Sequence, residues 1–173
     1  MTRIIPIISF LILLFFGDCT NKQDSAVPNV IIINIDDMGW KDVGFMGSEY
    51  YETLNIDYLS GLGMVFTNGY AAASNCAPSR ACLMTGQWTP RHGVYTVSPS
   101  ARGKSEDRKL IPTKNTHTLP SNHTILPQVL QVNGCQTCHA GKWHLSHNPL
   151  EFGFDVNIGG GHNGMPLSQA PTT

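Results

Sequence analysis

The sequence predicts an α/β fold, a mixed and mostly parallel sheet with helices on both faces, and three observations carry that prediction. Val30-Ile31-Ile32-Ile33-Asn34-Ile35 is a β-branched run with no polar alternation beyond Asn34, the pattern of a strand buried on both faces. Stretches with helical spacing at 55–62, from Pro78 and at 124–130 alternate with short strand candidates at 64–67 and 135–140. Two chemistry-bearing clusters, Asp36-Asp37 and Lys142-Trp143-His144, stand directly after the first and last strand candidates. That is the carboxyl edge, where open α/β sheets gather their ligands.

The chain of 173 residues is the size of one domain and can bury a core. A formal net charge of −1 points to no nucleic-acid or membrane-surface partner. With 13% charged residues and 17 glycines, the composition fits a loop-rich α/β enzyme piece better than a helical bundle. At the start, Arg3 precedes an apolar run from Ile4 to Phe16, broken by Pro6 and Ser9 and followed by Gly17-Asp18-Cys19. The run is too short to span a bilayer and has the basic start of a secretory signal, so export is expected, to the periplasm, the medium or the cell envelope. Cys19 stands where a bacterial lipoprotein carries its lipid anchor, although Asp18 replaces the small residue such a signal prefers; lipidation at Cys19 and cleavage nearby both stand. Residues 1–25 are set apart as leader, and 26–173 as the folded part. Five cysteines, Cys19, Cys76, Cys82, Cys135 and Cys138, suggest pairing in an exported chain, but the sequence does not choose the pairs.

Taken in order, the first strand ends in Asp36-Asp37-Met38-Gly39. Adjacent carboxylates repel unless a cation or several N–H donors hold them, and hard oxygen donors suit Ca²⁺ or Mg²⁺. Alone, the pair reads equally as a helix cap or a solvated turn. Ile56, Leu59 and Leu62 predict a helix capped by Asn55 and stopped by Gly63, with Asp57 as a first-turn charge, and Met64–Thr67 a short strand. Pro78 predicts a helix start, because its missing N–H costs little there and its φ is already helical. Cys76 then lies in the field of exposed N–H groups, and Arg80 returns to the same face to fork onto a tetrahedral oxyanion. A buried structural cysteine is the plainer alternative. His92, in Arg91-His92-Gly93, reads as a site residue or a structural one.

Residues 98–121 carry Arg102, Lys104, Arg108, Lys109 and Lys114 among three prolines, an irregular basic excursion that is either a solvated loop or a lip steering polyanions. Leu126, Val129 and Leu130 predict a helix ended by Asn133-Gly134, and Cys135–Ala140 a strand. Lys142 and His144 emerge at its end. Cys135-Gln136-Thr137-Cys138-His139 also fits C-x-x-C-H, the haem c attachment pattern, or a redox or zinc C-x-x-C site. In the tail, the glycines before His162 permit close backbone approach, and His162 reads as substrate-facing or as an ordinary loop residue.

Cys76-Ala77-Pro78-Ser79-Arg80-Ala81-Cys82-Leu83-Met84-Thr85-Gly86 resembles the signature of the type I sulfatases, Cys-x-Pro-Ser-Arg-x-x-x-Thr-Gly, at every fixed position. Asn29–Gly44 is similar to that family's opening, with Asp36 and Asp37 as metal ligands. The stretch from Leu54 to Asn68 resembles its second landmark, with Leu54 in place of a proline, and Gly141-Lys142-Trp143-His144-Leu145 its third. The resemblance implies an alkaline-phosphatase-like fold, incomplete here because the family's members are several times longer. It implies that Cys76 becomes formylglycine, made by a formylglycine-generating enzyme or an anaerobic maturase, and joins Asp36 and Asp37 at Ca²⁺ or Mg²⁺. The hydrated aldehyde takes the sulfuryl group and then expels it, which a serine ester could not do. Arg80 and Lys142 hold sulfate oxygens, His144 holds the hydrate, and Lys142 and His162 meet substrate. The substrate implied is a sulfate ester, of a sulfated glycan or an aryl sulfate. Family members complete the metal shell and supply the leaving-group acid from later in the chain, so the expectation is a half-site inactive alone. Two other readings stand beside this one: a metal-dependent phosphatase or phosphodiesterase of the same superfamily, which would use Ser or Thr where Cys76 stands, and a non-catalytic remnant or haem carrier.

Overall fold

The structure, a computed structural model, describes residues 27–97 and 99–163; the leader and Cys19 lie outside the described residues. Four α-helices and two strands are joined by long irregular segments: α1 (Leu54–Leu62), α2 (Cys76–Thr85), α3 (Thr89–His92), α4 (Leu126–Val132), β1 (Cys138–Ala140) and β2 (Val156–Ile158). The strands pair in parallel, with Cys138 opposite Val156 and Ala140 opposite Ile158, and among the described residues they are the whole sheet. The architecture is mixed α/β. No helix among the described residues is long and apolar enough to cross a membrane.

The core is built around the residues that follow β1. Trp143 and Leu145 are each 1% exposed and pack with Ile125, Val94, Leu119, Phe152 and the small face of α2, Ala77 and Ala81. Small residues on α2 let the helix approach closely, while the indole supplies the bulk. Trp143 meets Phe152 and Phe154 at ring separations of 5.9 and 5.6 Å, and its N–H donates to Ser146 Oγ at 2.8 Å. Leu119 N donates to Leu145 O at 2.7 Å, which pins the end of the basic excursion to this core.

The helices form where local signals place them. α2 begins two residues before Pro78 and ends at Gly86, whose left-handed φ of 64° lets its N–H close back on Cys82 O at 2.9 Å. α1 is capped at Thr53 rather than Asn55: Thr53 Oγ1 accepts from Gly44 N and donates to Asp57, which also accepts from Phe45 N. Asp57 thus clasps α1 to the 3₁₀ turn Gly44–Met46, and a Cβ at Gly44 would collide with its carboxylate.

Three strand expectations are corrected. Val30–Ile35 is extended but unpaired and open: Ile31 is 86% and Ile33 71% exposed, and residues 27–35 make no hydrogen bond among the described residues. A β-branched run specifies extension locally, but burial needs neighbouring strands, and none lies beside it among the described residues. A groove of about 780 Å³ separates this segment from β1, floored by Leu83, Met84, Leu126 and Leu130. Met64–Thr67 forms no strand and ends in a turn, with Gly69 N bonded to Phe66 O. The strand expected over 135–140 covers only 138–140, because Thr137 turns its N–H and hydroxyl onto the Asp155 carboxylate instead of a ladder partner. β2, too short to announce itself in the sequence, follows directly from that Asp155 contact.

Candidate active site

Asp36, at the end of the extended segment, meets two cations from distant parts of the chain. Arg80 Nη2 lies 3.3 Å from Asp36 Oδ1, and Lys142 Nζ donates to Asp36 Oδ2. Arg80 Nη1 also donates to the Lys142 carbonyl at 2.6 Å, so α2 and the loop after β1 are bonded to each other as well as to Asp36. Both cationic side chains are largely buried, 10% and 12% exposed, against 33% for the carboxylate. Burial works to raise the Asp36 pKa, but the hydrogen bonds from Lys142 and then Arg80 outweigh it and hold the carboxyl below its ordinary range.

Asp36, Asp37, Cys76, Ser79 and Arg80 line a single cavity of about 210 Å³. Cys76 is half-buried as the first residue of α2; Asn75 ahead of it makes no side-chain cap, and its carbonyl accepts from Ser79 N at 3.0 Å. Asp37 sits in the left-handed region at φ 53°, uncommon for a residue with a Cβ, and it lines the cavity beside Asp36. The site brings Asp36, Asp37, Cys76, Arg80 and Lys142 together. Arg80 Nη1 and Nη2 each donate one N–H to a protein acceptor, which leaves a second N–H on each, and Nε is buried without a partner.

His144 follows on the same loop at φ 63°, half-buried, with Nδ1 buried and unpartnered. Burial first, then the charges of Lys142, His162 and Arg80, lower its pKa, with Asp36 opposing. His144 is therefore held toward the neutral form, which can accept a proton. His162 does not line the Asp36–Cys76 cavity. It packs against His147 at a ring separation of 5.1 Å, with its Nδ1 also buried and unpartnered.

The donor set fits a hard dication. Two carboxylates converge on one cavity, one of them kept ionised by its neighbours, and oxygen donors are what Ca²⁺ or Mg²⁺ take. Among the described residues no group of three or more His, Cys, Asp or Glu side chains could hold a metal, so the pair would be only part of a shell.

Other candidates resolve into scaffold. His92 is 2% exposed, with Nε2 3.3 Å from Cys82 Sγ and Nδ1 accepting from Val94 N; it braces α2 against α3. His139 packs edge-on to Trp143 and Phe154, with Nε2 3.1 Å from Gly141 O, so the imidazole of the C-x-x-C-H string is engaged in packing. Cys76, Cys82, Cys135 and Cys138 are all free thiols. In the basic excursion, Arg108 bonds the carbonyls of Arg102 and Gly103 and folds the loop onto itself, while Lys104, Lys109 and Lys114 are exposed. Sequence reasoning missed Asn115, whose side chain accepts from Tyr95 N and Thr96 N and donates to Thr96 O, fixing the strand-like stretch beside α3. It also missed that Asp36 is where Arg80 and Lys142 meet, since no local signal links residues 44 and 106 positions apart.

A carboxylate pair, an arginine, a lysine and a cysteine thus lie together at the start of α2 on a mixed α/β scaffold. The sulfatase family matches residues 28–171, and the chain belongs to that family. It is 37% identical over 136 residues to N-acetylgalactosamine-6-sulfatase of Homo sapiens, covering 76% of this chain and 25% of that protein. It is also 37% identical over 158 residues to arylsulfatase G of Mus musculus, covering 88% and 27%. Among solved structures, that of Ps i-CgsB in complex with k-i-k-neocarrahexaose superposes with a TM-score of 0.58 at 34% identity, over 74% of this chain and 27% of that one. The chain thus spans about a quarter of the length of the relatives it matches.

Proposed function

We propose that this chain carries the part of a sulfatase active site that holds the nucleophile, two metal-binding carboxylates and the sulfate-binding cations, and that its substrate is a sulfate ester of a glycan. The observation that carries the reading is the convergence of Asp36, Asp37, Cys76 and Arg80 on one cavity, bonded through Asp36 to Lys142. The names of the N-acetylgalactosamine-6-sulfatase relatives and the neocarrahexaose complex support a glycan.

Asp36 and Asp37 would hold Ca²⁺ or Mg²⁺, which would supply positive charge to offset that of a bound sulfate. Formylglycine, made from Cys76 by a formylglycine-generating enzyme or anaerobic maturase, supplies as its hydrate a nucleophile that can release the group it takes up. Arg80 and Lys142 bind the remaining sulfate oxygens, and in a largely buried setting their charge acts more strongly than in water. His144, held neutral, accepts a proton beside Lys142. His162 is read as meeting substrate, although neither it nor His144 lines the Asp36–Cys76 cavity. Two carboxylates make an incomplete shell, and the half-site is inactive alone. The protein acts after export, anchored at Cys19 or released.

The test is an NMR titration of the aldehyde-bearing chain with galactose 6-sulfate, with and without Ca²⁺. Resonances of Asp36, Asp37, Arg80, Lys142 and His144 should shift together only when Ca²⁺ is present. Shifts that ignore Ca²⁺, or that fall elsewhere, would overturn the reading, as would turnover of an aryl sulfate by this chain alone.

A further inference from the structure

The basic excursion has no part in the site described so far, yet both of its arms are fastened beside the Asp36–Cys76 cavity. Thr96 Oγ1 accepts from Asn75 Nδ2 and from Arg102 Nη2, each at 3.3 Å, and Asn75 lines the cavity with Asp36, Asp37 and Cys76. One hydroxyl therefore joins the first arm to the residue that precedes Cys76. In the second arm, Asn115 Oδ1 accepts from Tyr95 N and Thr96 N at 2.7 and 3.1 Å, and Thr116 N donates to Gly93 O at 2.8 Å. Ser100 Oγ donates to Thr113 O, which ties the arms to each other. Between them, Arg108 donates from Nε to Arg102 O at 3.0 Å and from Nη2 to Gly103 O at 2.7 Å, so its guanidinium is held against the backbone of the first arm.

Five of the chain's 11 Lys and Arg residues, Arg102, Lys104, Arg108, Lys109 and Lys114, fall in this excursion, against two acids, Glu106 and Asp107. Among the described residues, no carboxylate lies within salt-bridge distance of Lys104, Arg108, Lys109 or Lys114. On a chain whose net charge is −1, this is a local positive field set next to the cavity. Residues 98–121 contain no Phe, Tyr or Trp, so the patch lacks the aromatic faces on which nucleic-acid bases stack. Sulfate and carboxylate groups on a sugar need only cations and N–H donors. We propose that the excursion is a second anion subsite, in which Arg102, Lys104 and Lys109 bind a sulfate or carboxylate on a neighbouring sugar of the glycan. The subsite rests on the sulfatase reading for the sulfate ester that occupies the cavity, and it selects polyanionic glycans over uncharged ones. Arg108, bonded to two carbonyls, shapes the loop. Lys104 and Lys109 are exposed, so each contributes modestly, and binding weakens as salt is raised.

The experiment measures binding of the whole chain to polysulfated maltohexaose by calorimetry and by ¹H–¹⁵N NMR, with unsulfated maltohexaose and a thymidine hexanucleotide as comparisons. The sulfated sugar should bind and the unsulfated one should not, and the amides of 102–109 should shift together with those of Asn75 and Thr96. Lys104→Gln with Lys109→Gln should weaken binding about 3–10-fold, and Lys104→Arg with Lys109→Arg should restore it. Glu106→Gln, which removes a negative charge from the same loop, should tighten binding, an effect that loss of folding would not produce. No binding of the sulfated sugar, or an affinity unchanged in the double glutamine variant, would overturn the subsite. Shifts over 102–109 that leave Asn75 and Thr96 in place would separate the patch from the cavity and overturn it as well. A hexanucleotide that binds as tightly as the sulfated sugar would overturn its assignment to glycans. The readout needs neither aldehyde nor metal, so its failure is distinguishable from failure of the sulfatase reading, which is lost instead if Cys76 remains a thiol under its converting enzyme.

Discussion

The extended segment 30–36 and the loop 142–152 reverse the places their sequences suggest. The first is a run of β-branched residues and lies open, with Ile31 86% exposed. The second mixes Lys, His, Ser and Asn with Trp143, Leu145 and Phe152, and it forms the centre of the core, with Trp143 and Leu145 each 1% exposed. Among the described residues the first region is held chiefly through Asp36, and the second through packing, ring contacts and the Trp143–Ser146 bond. Apolar composition therefore states what a segment can bury, not whether the partner that buries it is present.

Truncating the packed region should cost most. Trp143→Ala removes the shared contact of Phe152, Phe154 and His139, and a loss of about 3–5 kcal/mol is expected in denaturant unfolding. A loss below about 1 kcal/mol would mean that the core lies elsewhere.

Next comes the link between the regions. Asp36→Asn leaves Arg80 and Lys142 without their carboxylate, and after discounting for a side chain one-third exposed, a loss of about 1–2 kcal/mol is expected, with faster amide exchange over 30–36. The pH dependence follows from the lowered pKa of Asp36. The native state binds this proton less tightly than the unfolded chain, so the stabilisation is present above the ordinary carboxylate value of 3.8 and disappears as pH falls through the lowered one. Asp36→Asn should remove that part of the acid limb. An unchanged acid limb would show that the pair does not fasten the segment.

Smallest is the effect of altering the open run itself. Ile33→Thr, at a position 71% exposed, should change stability by no more than about 0.5 kcal/mol while reducing self-association, because an apolar unpaired edge invites strand addition. A loss of 2 kcal/mol or more would show that the run is buried in solution.

What the sequence revealed depended on range. Pro78 marks the start of α2 by backbone sterics within one turn of the chain, and Asn133 and Gly134 end α4 just as locally; both were legible, whereas Gly86 as the end of α2 was not read. The site residues were legible as motifs, but their geometry was not: the pairing of Lys142 with Asp36 spans 106 positions, and it diverts the Arg80 fork from free space to a protein carboxylate. His162 could be singled out as a histidine after a glycine run, whereas its packing against His147 joins the loops that follow two parallel strands and was not legible. The opening strand was misjudged because extension is local and burial is not.

The most direct measurement is peptide mass spectrometry of the segment spanning Cys76 after expression with a formylglycine-generating enzyme. The account predicts a peptide lighter than the cysteine form and trapped by a hydrazide. An unmodified thiol at Cys76 under conditions where the enzyme converts a control substrate would contradict it.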